Sequence, residues 1–129
     1  MIVLLDTHIL LWLLNDPDRV PRRIMSEVED TANDVLFSPI NIFEVATKAG
    51  LGRSDFPFRA EGVYDAACLA GLREAPLRAK AAIRAGDLAG PHRDPFDRLL
   101  MAQAQDEGAV LATVDARILA YRSVVRMIV

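Results

Sequence analysis

At 129 residues and 14.2 kDa, with 52% hydrophobic and 26% charged residues, the chain holds apolar material for one ordinary core and little for a second, so a single domain spanning residues 1–129 is expected. The formal net charge of −3 excludes a global attraction to nucleic acid, so any contact with RNA or DNA must use a local basic surface, metal-bridged phosphates or a groove shared between subunits. No apolar run reaches the roughly 18 residues of a membrane span, and the opening Met-Ile-Val-Leu-Leu-Asp lacks the basic region and small-residue cleavage site of a signal peptide.

The apolar run Ile2 to Leu5 reads as a buried parallel strand that ends at Asp6. His8 to Asn15 is apolar all round, as expected of a helix buried on nearly every side, in the core or at a subunit contact. Asp16-Pro17-Asp18 breaks it, and Pro21 opens an amphipathic helix to about Glu29 with Ile24, Met25 and Val28 on one face. Val35 to Phe37 is a short second strand, and Ser38-Pro39 leads into a helix over Phe43 to Ala49. The Gly and Pro content of Leu51 to Phe58 marks a loop whose phenylalanines must tuck against the body or a partner.

Helical material resumes over Glu61 to Ala70, where the single cysteine, Cys68, reads as a small buried hydrophobe rather than a nucleophile. One cysteine forms no internal disulfide, which fits a cytoplasmic protein. Leu72 to Leu77, with Pro76, is an edge strand, and the alanine-rich Arg78 to Leu88 is a helix. After a turn-rich approach, Asp97 to Glu107 forms a helix stopped at Gly108. The run Ala109 to Val114 is a second long strand ending at Asp115, followed by a short helix, Ala116 to Tyr121, and a closing strand, Val124 to Val129. The alternation predicts a three-layer α/β/α fold with a mostly parallel central sheet of four or five strands.

In such a sheet Asp6 and Asp115 emerge at the carboxyl ends of strands, where open α/β sheets place their ligands, and Glu44 and Asp97 fall early in helices. Two unit charges about 4 Å apart repel by roughly 4 kcal/mol at an effective dielectric near 20, so converging carboxylates take up protons or bind a cation. Hard oxygen ligands suit Mg²⁺ or Mn²⁺, which hold phosphate esters, activate water and neutralise a leaving oxygen. Metal-assisted phosphodiester hydrolysis is the reaction class expected.

Each residue also has a structural explanation. Asp6 and Asp115 can be helix N-caps, as can Asp94, with Pro95 at the first helical position and Asp97 favourable to the helix dipole. Asp97 shares a face with Met101 and Ala104, which ranks it above Asp94 as a metal-site residue. Glu44 can pair with Lys48 one turn along. His8 and His92, without ligand spacing, point away from zinc. Arg93, Arg98, Lys48 and Arg53, near the acidic positions in sequence, are the candidates for backbone phosphate contacts.

Four segments in order carry a resemblance. Leu4 to Trp12 (Leu-Leu-Asp-Thr-His-Ile-Leu-Leu-Trp), Ser38 through Glu44 to Lys48 and Gly52-Arg53, His92 to Leu100 continuing to Ala104, and Thr113-Val114-Asp115 together resemble the PIN-domain family, and more narrowly the VapC toxins of bacterial toxin–antitoxin pairs. The resemblance implies a cytoplasmic Mg²⁺- or Mn²⁺-dependent ribonuclease with Asp6, Glu44, Asp97 and Asp115 as its acidic cluster. Asp94 would be a helix cap reaching metal through water, and Thr7 and Thr113 would steady the carboxylates and bound water. It also implies a homodimer neutralised by a small cognate antitoxin. Phe43 stands where many relatives carry Trp, and Lys80 stands where a His is expected, so Arg78 to Leu88 is where substrate or partner surfaces would differ.

The hypothesis is an endoribonuclease in which Asp6, Asp97 and Asp115 chiefly hold metal and Glu44 holds or orients bound water. A haloacid-dehalogenase-type phosphatase also places Asp after its first strand, but it needs a second Asp two residues on, where this chain has His8. The non-enzymatic alternative is a PIN-like module that binds RNA or protein without cutting.

Overall fold

The computed structural model describes residues 1–52 and 55–129. Five parallel strands form one sheet in the order β3-β2-β1-β4-β5, with β1 Ile2–Leu5, β2 Asp34–Phe37, β3 Arg73–Glu74, β4 Val110–Ala112 and β5 Met127–Ile128. The expected mostly parallel sheet is parallel throughout. Seven helices cover it: α1 Thr7–Asn15, α2 Arg22–Glu29, α3 Pro39–Gly50, α4 Ala60–Leu69, α5 Ala79–Asp87, α6 Pro95–Asp106 and α7 Ala116–Leu119.

The side-chain period of two divides each central strand between two cores. Val3 and Leu5 of β1, Phe37 of β2, and Val110 and Ala112 of β4 join Ile9, Leu10, Ile24, Val45 and Val63 on one face. Leu4, Leu36 and Leu111 point the other way, onto Leu100, Met101, Ala104 and Ile118 of α6 and α7. Runs that are apolar at every position are what a sheet covered on both faces requires.

Several elements differ from expectation at their ends. Helix α3 begins at Pro39, because Ser38 caps it and Asn41 closes a capping box, so the Ser-Pro pair is the helix start itself. The closing strand is only Met127–Ile128, since amides 124 and 125 turn back onto the Tyr121 carbonyl. The edge strand shrinks to Arg73–Glu74. Cys68 is exposed, contrary to expectation. Helix α4 buries Val63 and Ala67, one turn apart, which rotates position 68 towards solvent. Phe56 and Phe58 are half-buried against the first core, edge to face on each other with centroids 5.3 Å apart.

Candidate active site

The chain runs outward from β1 to β2 and β3, then returns to β4 on the opposite side of β1, so the direction of winding reverses between β1 and β4. Carboxyl ends flanking such a reversal are splayed by diverging connections and leave a crevice. Asp6 follows β1 directly, with its amide bonded to the Ala112 carbonyl of β4 at 3.0 Å, and Asp115 lies three residues beyond β4. A cleft of about 330 Å³ opens there, and Asp6, Glu44, Asp94, Asp97 and Asp115 all line it.

Two threonines hold the carboxylates. The buried Thr113 hydroxyl donates to Asp6 Oδ2 and accepts the Asp115 amide at 3.1 Å. Thr7 Oγ1 donates to Glu44 Oε1 at 2.8 Å and accepts from Asn41 Nδ2 at 3.1 Å. Asn41, fully buried, also donates to the Leu5 carbonyl, and its Oδ1 accepts the Ser38 amide at 2.7 Å. Asn41 therefore ties the start of α3, and Glu44 one turn along it, to the end of β1. Sequence reading passed over Asn41 because it set the helix start later; Ser38 with an amide side chain three residues on was the available signal.

Capping and cleft-lining coincide. Asp6 Oδ1 accepts the Ile9 amide at 2.8 Å, Asp115 Oδ1 accepts the Arg117 amide at 2.9 Å, and Asp94 Oδ1 accepts the amides of Phe96 and Asp97 at 2.9 and 3.2 Å. Each cap points its residue at the mouth of a helix, and the three helices α1, α6 and α7 bring their amino ends to one crevice. A positive helix end is a favourable place for a carboxylate.

Burial raises the Asp6 carboxyl above its usual range, against its bonds from Thr113 and Ile9, and the negative charge of Asp97 pushes the same way. Asp97 is also raised, first by burial, with Asp94 and Glu44 adding to the effect and a His92 hydrogen bond opposing it. For Asp115, burial is outweighed by hydrogen bonds from the Arg117 backbone and side chain and by the charges of Arg117 and His92, so it lies below the usual range. The carboxylates thus feel one another across the cleft.

Of the four cationic candidates, Lys48 lines the cleft and pairs with Glu44 at 3.0 Å. Arg98 is committed elsewhere: its guanidinium donates to the carbonyls of Ala85, Leu88 and His92, fastening the loop before α6. Arg93 is exposed outside the lining, and Arg53 lies outside the described residues. Arg117, which sequence reading passed over, lines the cleft beside Asp115. His92 Nε2 lies 2.6 Å from Asp97 Oδ2. Its amide donates to the Tyr121 hydroxyl at 3.0 Å, and that hydroxyl passes so close to Gly90 (φ +138°) that a Cβ there would collide with it. Glycine lets the loop approach Tyr121 and set His92 over Asp97.

A model of the PIN domain matches residues 3–123. The chain belongs to the PIN domain family. No curated protein matches the sequence. Among solved structures, VapBC2 from Rickettsia felis, bound to a DNA fragment from its promoter, superposes with a TM-score of 0.73 at 20% identity, over 99% of this chain and 98% of that one. VapBC-1 from nontypeable Haemophilus influenzae gives 0.71 at 20% identity, over 99% and 97%. FitAcB from Neisseria gonorrhoeae gives 0.63 at 16% identity, over 98% and 96%. At these identities the likeness is one of fold. Family membership sets aside the phosphatase alternative, whose second aspartate is absent at His8.

In this PIN domain no three His, Cys, Asp or Glu side chains among the described residues form a ready metal cage. Asp97 turns to His92, Glu44 to Lys48 and Asp115 to Arg117. The donor chemistry nonetheless fits a hard divalent cation: the lining is carboxylate oxygen, and Asp6 and Asp97 are held at raised pKa by burial and by neighbouring negative charge that a cation would relieve.

Proposed function

We propose that the chain is a VapC-type toxin: a metal-dependent endoribonuclease that acts as a homodimer in the cytoplasm and is neutralised by a small cognate antitoxin. The observation that carries this reading is the convergence of Asp6, Glu44, Asp97 and Asp115 on one cleft at the winding reversal of a PIN domain. Fold likeness to VapBC2 and VapBC-1 over nearly the whole chain supports the toxin and antitoxin assignment. No helix among the described residues is long and apolar enough to cross a membrane.

Asp6, Asp97 and Asp115 would hold a Mg²⁺ or Mn²⁺ ion, with Glu44 beside it. Bound there, the ion supplies charge neutralisation at the scissile phosphate and a lowered pKa for the attacking water. Glu44, steadied by Thr7, orients that water and takes its proton, and Thr113 keeps Asp6 and Asp115 in fixed register. Lys48 and Arg117 turn from their carboxylates to phosphate oxygens once the cleft is neutralised. Asp94 caps α6 and reaches the cleft through water.

Labelled RNA incubated with wild type or Asp97→Asn, with Mg²⁺, Mn²⁺ or EDTA, tests this directly. Cutting by wild type alone, abolished by EDTA, is expected. Equal cutting by both proteins, or RNA that is bound yet never shortened, contradicts it; the latter result favours the binding module.

A further inference from the structure

A second groove, of about 450 Å³, adjoins the acidic cleft and shares two wall residues with it, His8 and Lys48. Its other walls include Leu11, Trp12, Phe56 and Phe58, and all three aromatic rings are half-buried, held in place yet reachable. The Arg19 guanidinium carbon lies 4.6 Å over the Trp12 ring, and Lys48 Nζ is 6.0 Å from the centre of Phe56. Flat rings and a guanidinium plane stacked on one of them are the surfaces on which unpaired bases settle, whatever their sequence. Asp16 and Asp55 also line the groove. Their charge disfavours a phosphate inside it, while Lys48 stands where the groove meets the cleft. An occupant with an apolar, planar part in the groove and its anionic part at Lys48 satisfies both conditions.

We propose that this groove is a base-binding subsite, receiving an unpaired base of the RNA strand whose neighbouring phosphate lies over the carboxylates. The inference rests on the ribonuclease reading and extends it: the substrate is single-stranded at the cut, and Trp12, Arg19 and Phe56 are binding residues rather than catalytic ones. It also accounts for the loop after α3, which folds Phe56 and Phe58 back over α1 and so builds the groove's far wall.

Trp12 is the single tryptophan, so its fluorescence reports on this groove alone. Wild type in EDTA is titrated with a fluorescein-labelled mixed-sequence RNA dodecamer and with a ribose-phosphate chain of the same length that lacks bases. Anisotropy reads binding and an unlabelled series reads Trp12. The RNA should quench Trp12 over the same concentrations that raise anisotropy, and the baseless chain should not. Phe56→Leu, which keeps apolar volume but removes the ring face, and Arg19→Gln should weaken RNA binding roughly five- to hundred-fold. In the Mg²⁺ cleavage assay both should raise KM with kcat unchanged.

Normal cleavage with Trp12 unmoved by RNA, or with Phe56→Leu and Arg19→Gln indistinguishable from wild type, overturns the subsite and leaves the ribonuclease reading standing. Absence of both RNA binding and cleavage overturns the two together. Trp12 that responds to a protein partner but not to RNA assigns the groove to that partner and overturns the proposal.

Discussion

Asp6 shows how one residue serves fold and site. It caps α1, accepts the Thr113 hydroxyl across to β4 and lies almost wholly buried, and burial is the chief reason its carboxyl is raised above 3.8. The folded protein therefore keeps this proton to higher pH than the unfolded chain does, so Asp6 lowers folding stability as pH rises from about 4 through its folded pKa. Asp6→Asn lacks that titration. In EDTA its Tm relative to wild type should climb between about pH 4 and pH 7, and Mg²⁺ should then raise the Tm of wild type but not of the variant. A difference in Tm independent of pH would show that burial of this charge is not destabilising.

Thr7 offers a complementary test. Thr7→Val removes the hydroxyl between Asn41 and Glu44 with little change in volume. RNA cleavage should fall roughly 10- to 100-fold through lost orientation of Glu44. A rate equal to wild type would mean that Glu44 needs no support from Thr7.

Among residues, those legible in the sequence were the ones whose position follows from one element. Asp6 and Asp115 end apolar runs, so a parallel sheet alone brings them to one edge. The commitment of Arg98 could not be foreseen, because its three carbonyl acceptors come from two separate stretches whose paths depend on the packing of α5 against α6.

At the scale of elements, α3 carries the most consequence, because its first turn fixes the distance of Glu44 from β1. Ser38 caps it and also bonds Gln103 of α6, whose amide donates to the carbonyls of Ala75 and Pro76 beyond β3. Ser38→Ala loses the cap and leaves part of the buried Gln103 amide unpaired. A cost of about 2–4 kcal/mol in denaturant unfolding is expected. A cost under about 0.5 kcal/mol would mean the network repairs itself.

Helix α6 separates the two roles of Asp94. Asparagine is an equally good N-cap, so Asp94→Asn should leave stability within about 0.5 kcal/mol of wild type. Its cleavage rate should fall less than tenfold if water intervenes between Asp94 and the ion. A loss as deep as that of Asp97→Asn would make Asp94 a direct ligand. Helix existence was readable from periodicity and punctuation, whereas facing was not: α4 carries Ala66, Ala67 and Cys68 in succession, and such a run does not reveal which of the three meets the core.

For the molecule as a whole, the alternation of strands and helices made the layered architecture legible, and the strand order then explains the site. Chain reversal at β1 brings residues from the first, middle and last thirds of the sequence to one crevice, so no local window of sequence displays it. The net charge of −3 leaves RNA affinity to the few cations at the cleft and groove, Lys48, Arg117 and Arg19, and to the ion itself. As a homodimer the protein should elute from gel filtration at micromolar concentration with a mass twice 14.2 kDa. Elution as a single copy would contradict the dimer without touching the site.

The central claim is that the cleft carboxylates gather a divalent cation, and anomalous diffraction from crystals grown with Mn²⁺ tests it most directly. The account expects a Mn²⁺ peak bounded by Asp6, Asp97 and Asp115, with His92 displaced from Asp97, and its loss in Asp97→Asn. A cleft without the peak at millimolar Mn²⁺, or a peak that persists unchanged in Asp97→Asn, would contradict it.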